Sequence, residues 1–105
     1  MSSDVSMEHP GGLDEHLAAH VAELFSAFSD TSRVRLISVL VHGEQNVGAL
    51  AEAIGLSESA VSHHLRILRQ MRLVQPRRDG RQVFYSLDSH VAELFYHGLD
   101  HVEHG

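Results

Sequence analysis

At 105 residues, with a net charge of −6 and no cysteine, the chain has room for one small domain whose core is marginal by itself. The absence of thiols excludes a disulfide framework, a thiolate metal site and a thiol redox switch. No apolar run approaches a membrane span and no charged-then-apolar leader opens the chain, which points to the cytosol and away from the membrane.

The acidic total argues weakly against nucleic acid, but its distribution argues the other way. There is no lysine, and six of the eight arginines fall between Arg66 and Arg81, where Asp79 is the single acid. A local basic stripe matters more to a polyanion than the sum does.

In chain order, residues 1–12, MSSDVSMEHPGG, read as a disordered arm closed by a Pro-Gly-Gly breaker, ahead of a domain over 13–105. Residues 13–29 predict a helix with Leu17, Val21, Leu24, Phe25 and Phe28 on its apolar face. His16 and His20 stand at i and i+4 on its more polar side, with His9 nearby. Such spacing could add metal ligands, though surface decoration is the preferred reading.

Asp30 or Thr31 caps a second helix over about 32–42, with Val34, Ile37, Leu40 and Val41 inward and Gly43 as its stop. A short third helix, 47–54, turns Val47, Leu50, Ala51 and Ile54 to the core. Gly55-Leu56 makes a tight turn, and Ser57 caps a fourth helix that runs to about Met71. Helix, glycine turn, helix is the helix-turn-helix pattern. On the fourth helix Val61, Leu65 and Leu68 face the core. Ser59, Ser62, His63 and Arg66 occupy the opposite side, where short hydrogen-bonding side chains and a guanidinium suit a major groove. Ser57 at its start joins this set. His64 lies nearer the core side and is not counted as a base reader.

Residues 73–87 alternate as strands, with Asp79-Gly80 as a hairpin turn and Pro76 fit for an edge strand. Arg77, Arg78 and Arg81 crowd the tip. A basic hairpin after a recognition helix is a wing, suited to phosphate contact. The fold class is therefore mainly α with a small β-hairpin, a winged helix-turn-helix.

Asp88 or Ser89 caps a last amphipathic helix to His104, with Leu87, Val91, Leu94 and Phe95 at helical spacing. His90, His97, His101 and His104 form one stripe on it. His90 and His101 are about 16 Å apart along a helix rising 1.5 Å per residue. One tetrahedral zinc, with ligands at about 2 Å, cannot take both from a straight helix. Asp88 with His90, and His101 with His104, are two half-sites. An antiparallel copy of the helix, related by a twofold axis, would join them into two identical sites per dimer.

The stretch AEAIGLSESAVSHHLRILRQMRLV followed by RRDGRQVFYSL, together with Asp88-x-His90 and His101-x-x-His104, resembles the ArsR/SmtB family of metal-responsive winged-helix repressors. The likeness runs from about Leu13 to His104. It implies a homodimer through the first and last helices that binds double-stranded operator DNA and is released by metal. It also implies Asp88, His90, His101 and His104 as inter-subunit ligands for Zn(II) or Co(II), and a hydrogen bond from His101 to a backbone carbonyl near Arg72. The family's cysteine-containing site has no counterpart here, where the matching region is Gln45-Asn46-Val47. Three imidazoles and one carboxylate suit tetrahedral Zn²⁺ or Co²⁺, whereas added nitrogens from His97, His9, His16 or His20 would suit six-coordinate Ni²⁺. A metal-independent DNA-binding regulator is the other alternative. An enzyme is not expected, since four protein ligands close a zinc site and so short a chain offers little pocket for a small-molecule substrate.

Overall fold

The side chain of an aspartate, asparagine or serine opens every helix among the described residues. The computed structural model describes residues 9–105, so the first eight residues of the expected arm lie outside it. Within that range α1 spans Glu15–Phe28, α2 Thr31–Leu40, α3 Val47–Ile54, α4 Glu58–Gln70 and α5 Ser89–His104, while β1 is Gln45–Asn46, β2 Val74–Asp79 and β3 Gln82–Leu87. Asp14 accepts from the Leu17 N–H at 2.8 Å, Asp30 from Arg33 at 3.1 Å, and Asn46 from Ala49 at 2.7 Å. Ser57 accepts from Ala60 at 3.1 Å and Asp88 from His90 at 3.0 Å. Each satisfies a backbone donor that the helix leaves free, a contribution of about 1 kcal/mol. Asp30 and Asp88 are thus the caps where two candidates stood open.

The core is built by α2, α3, α4 and the start of β2. Leu36, Ile37 and Leu40 meet Leu50, Ala51 and Ile54, and Val61, Leu65 and Leu68 close over them with Leu73 and Val74. Leu36, with no exposed surface, takes an inward place expected of Val34 and Val41, which are half-buried. The outer helices contribute one buried side chain each, Ala27 from α1 and Val91 from α5. Two arginines fasten the frame. Arg33 donates through Nε to the Ala27 carbonyl at 2.7 Å and through Nη2 to that of Ser26 at 3.2 Å, satisfying the end of α1. Arg35 Nη1 donates to the Ile54 carbonyl at the end of α3 at 3.0 Å.

The sheet has three antiparallel strands in the order β1-β3-β2 rather than the two of a bare hairpin. Gln45 and Asn46 pair with Tyr85 and Phe84, and the Asn46 amide donates to Gln82 Oε1 at 2.7 Å. β2 is an edge strand, as Pro76 requires. Asp79 pairs with Gln82, which places the two-residue turn at Gly80-Arg81, one residue beyond the expected Asp79-Gly80. Gly80 leads it with φ 63°, a conformation open to glycine at no steric cost.

Candidate nucleic-acid interface and metal-ligand positions

The turn between α3 and α4 begins with Gly55 at φ 72° and the Leu56 N–H on the Ala51 carbonyl at 3.2 Å. This left-handed step sends the chain across to α4. Ser57, Ser59, Ser62, His63 and Arg66 are all exposed, on the side away from Val61, Leu65 and Leu68. His64 is turned inward as expected. Its side chain is 16% exposed, with Nδ1 at 3.4 Å from Arg33 Nη1 and 4.0 Å from Asp30 Oδ1. The Asp30 carboxyl is held below its ordinary range, first by the Arg33 backbone N–H and then by the charges of Arg33 and His64. Glu58, passed over in the sequence, lines a cleft of about 470 Å³ with Ser62, Arg81 and Gln82.

The wing's adjacent arginines have different surroundings. Arg77 makes a bidentate pair with Glu44, Nε to Oε2 at 2.9 Å and Nη2 to Oε1 at 2.7 Å, and lies over the Phe84 ring at 5.1 Å from its centroid. The pair lowers the Glu44 carboxyl and raises the Arg77 guanidinium. Arg77 therefore braces the wing against the loop before β1. Arg78 and Arg81 are exposed.

On α5, Asp88 and His90 stand together at the start and His101 and His104 in the last turn. Among the described residues no three histidine or acidic side chains of one chain converge on a point that could hold an ion. The two pairs stay apart, and His97 lies exposed between them. Each pair still has donors to offer. The cap uses Asp88 Oδ1 alone, leaving Oδ2, and His90, His101 and His104 are exposed. On α1 the His16 and His20 rings lie 4.7 Å apart, and His9 precedes the turn in which its carbonyl accepts from Gly12 at 2.9 Å.

Arg72 occupies the exit of α4 with φ 60°, and no other non-glycine described residue has a positive φ. Its N–H donates to the Arg69 carbonyl and that of Leu73 to Leu68, both at 2.9 Å. This is the left-handed ending usually made by glycine.

Among the described residues, an apolar face of the outer helices is uncovered. Phe25, Phe28, Val34, Leu94, Leu99 and Val102 line an open cleft of about 490 Å³, with Phe25 58% and Val102 82% exposed.

Residues 30–75 match the model of the family described as bacterial regulatory protein, arsR family. The chain is also 46% identical over 93 residues to the HTH-type transcriptional regulator NmtR of Mycobacterium tuberculosis, covering 88% of this chain and 78% of that one. The chain belongs to the arsR family. It is a member of a family of transcriptional regulators rather than enzymes, and its helix-turn-helix implies DNA binding. A second relative of this arsR-family chain, the transcriptional repressor SmtB homolog of a Synechocystis strain, is 54% identical over 87 residues, 82% of this chain and 66% of its own length. The fold agrees with the crystal structure of NolR from Sinorhizobium fredii, with a TM-score of 0.77 at 33% identity over 97% of this chain and 96% of that one. The winged helix-turn-helix read from the sequence is thus the fold of this arsR-family member. The family match ends at residue 75, two residues into β2, and so leaves out most of the wing and all of α5. No helix among the described residues is long and apolar enough to cross a membrane.

Proposed function

We propose that this chain is a metal-responsive transcriptional repressor that binds operator DNA as a homodimer and leaves it when Zn(II) or Co(II) binds. The observation that carries the reading is the placement of Asp88-His90 and His101-His104 at opposite ends of one 16-residue helix, beside an apolar face that the described residues leave open. In the dimer α1 and α5 cover that face, and burial of apolar surface is the driving force. Asp88 and His90 of one chain and His101 and His104 of the other would hold the ion. When bound, it supplies a cross-link between the two α5 helices. Ser57, Ser59, Ser62, His63 and Arg66 face the major groove, while Arg78 and Arg81 of the wing meet phosphate. Arg77 supports the wing through Glu44. A twofold dimer would read a palindrome whose half-sites are about one helical turn, or a multiple, apart. His101 donating to the Arg72 carbonyl would tie the ligand set to the end of the recognition helix. Such coupling is typically about 1–3 kcal/mol, or roughly 5- to 150-fold in DNA affinity.

The test is operator binding by fluorescence anisotropy with and without Zn²⁺, Co²⁺ and Ni²⁺, for the wild type and His101→Ala. The expected result is weaker DNA binding with metal in the wild type alone. An unchanged wild type would leave a metal-independent regulator. A response to Ni²⁺ alone, lost on removal of His97 or of His9, His16 and His20, would favour the six-coordinate alternative.

A further inference from the structure

The pleat of the wing separates its two neighbouring arginines. Successive strand residues point to opposite faces, and the register pairs Arg77 with Phe84 and Arg78 with Val83. Arg77 goes to the face of Phe84 and Glu44. Arg78 shares the other face with Pro76, Val83 and Tyr85, and that face is turned toward α4. There it meets Arg69, and the five residues line one cleft of about 280 Å³. Both guanidinium groups are exposed, and neither makes a hydrogen bond or ion pair with any other described residue, unlike Arg77. Two exposed cations without a partner among the described residues thus flank Pro76, Val83 and Tyr85 in the seam between helix and wing. Val83 also lines the cleft of Glu58, Ser62 and Arg81, so the two clefts adjoin along that seam.

DNA geometry says what lies in such a seam. A recognition helix sits in the major groove, and the wing beside it would then stand over the adjoining minor groove. The sugar-phosphate backbone of one strand separates the two grooves and must pass between helix and wing. We infer that Arg69 and Arg78 form a clamp for a phosphate of that strand. The inference rests on the DNA-binding reading. Arg69 then acts by charge on the backbone, while sequence is read by the side chains that reach base edges.

The experiment uses the full chain and two duplexes of about 30 base pairs, long enough to hold two half-sites a helical turn apart. One is selected by the wild-type protein from a random pool and the other is its scrambled counterpart. Affinity is measured by anisotropy across a salt series for wild type, Arg69→Ala, Arg78→Ala and Arg69→Lys, after circular dichroism has confirmed folding. Each alanine variant is expected to weaken binding to both duplexes in the same proportion. Each should also flatten the plot of log affinity against log salt by about one per lost contact. Arg69→Lys keeps the charge and should keep the slope. A wild-type slope in both alanine variants would overturn the clamp while leaving DNA binding intact. A changed base preference with an unchanged slope would overturn it by making Arg69 a base reader. Failure of the wild type to select any duplex from the pool would overturn the DNA-binding reading itself, and the clamp with it.

Discussion

The backbone N–H of Asp88 donates to the carbonyl oxygen of Leu73 at 3.2 Å. Asp88 caps α5, and Leu73 completes the left-handed turn by which the chain leaves α4. The first candidate ligand of the last helix is therefore one hydrogen bond from the exit of the recognition helix. A tilt of α5 would reach that exit through backbone atoms, a connection additional to the proposed hydrogen bond from His101 to the Arg72 carbonyl.

Asp88 has two separable jobs, and its variants distinguish them. Asn caps a helix about as well as Asp, whereas Ala loses about 1 kcal/mol. Asp88→Asn is expected to unfold at nearly the wild-type temperature and Asp88→Ala several degrees lower, followed by circular dichroism. Both lose the carboxylate, so anisotropy should find neither responding to Zn²⁺. A metal response retained in Asp88→Asn would remove the carboxylate from the ligand set.

Arg72 at φ 60° carries the steric cost of a left-handed side chain, about 1–2 kcal/mol, against about 0.5–1 kcal/mol of extra chain entropy that glycine brings. Arg72→Gly is expected to stabilise the protein by about 0.5–1 kcal/mol in urea melts. The carbonyl stays in place, so the metal response should persist. A lower stability would mean that the Arg72 side chain makes a favourable contact elsewhere.

Asp30 and Glu44 should contribute to acid sensitivity. Their carboxyls lie below their ordinary values in the folded chain, Asp30 through the Arg33 N–H and Glu44 through Arg77. A lowered carboxylate contributes stability above its unfolded value and loses it as pH falls through the folded one. Their contribution to stability in urea should therefore be constant from neutral pH to about 5 and decline below about 4, where free carboxylates take up protons. Asp30→Asn keeps a cap and Glu44→Gln a hydrogen bond, and each should make the decline shallower. An unchanged profile in both would assign acid sensitivity to other groups.

The open apolar face fixes the fourth expectation. Phe25→Glu on α1 or Leu99→Glu on α5 puts a charge where the proposed partner helix packs. Sedimentation velocity should find a dimer for the wild type and a monomer for either variant, with circular dichroism showing the fold retained. A wild type that sediments as a monomer would take away the surface that joins the half-sites.

Much of this was legible in the sequence because local chemistry and packing agree. Gly55, Ser57 and the Val61-Leu65-Leu68 stripe specify the helix-turn-helix without tertiary information. β1 was not legible, since two residues, Gln45 and Asn46, carry no period and are strand only through pairing with β3. The turn at Gly80-Arg81 was displaced by one because Asp-Gly is itself a favoured hairpin pair. Arg77 and Arg78 are alike in sequence, and only the register sends one to Glu44 and the other to Arg69. Arg69 was passed over because its neighbour across the seam comes from the wing. The stripe of α1 put Phe25 on an apolar face, but only the three-dimensional arrangement shows that no other described residue covers it.

The most direct measurement mixes two crippled chains. One carries Asp88→Asn with His90→Ala, the other His101→Ala with His104→Ala. After exchange of subunits, a mixed dimer holds one intact site built from the healthy half of each chain. Titration with Co²⁺, followed by the intense visible absorption of four-coordinate cobalt, should show no band for either variant alone and a clear band for the mixture. Silence in the mixture, or a band from either variant alone, would contradict a site shared between subunits.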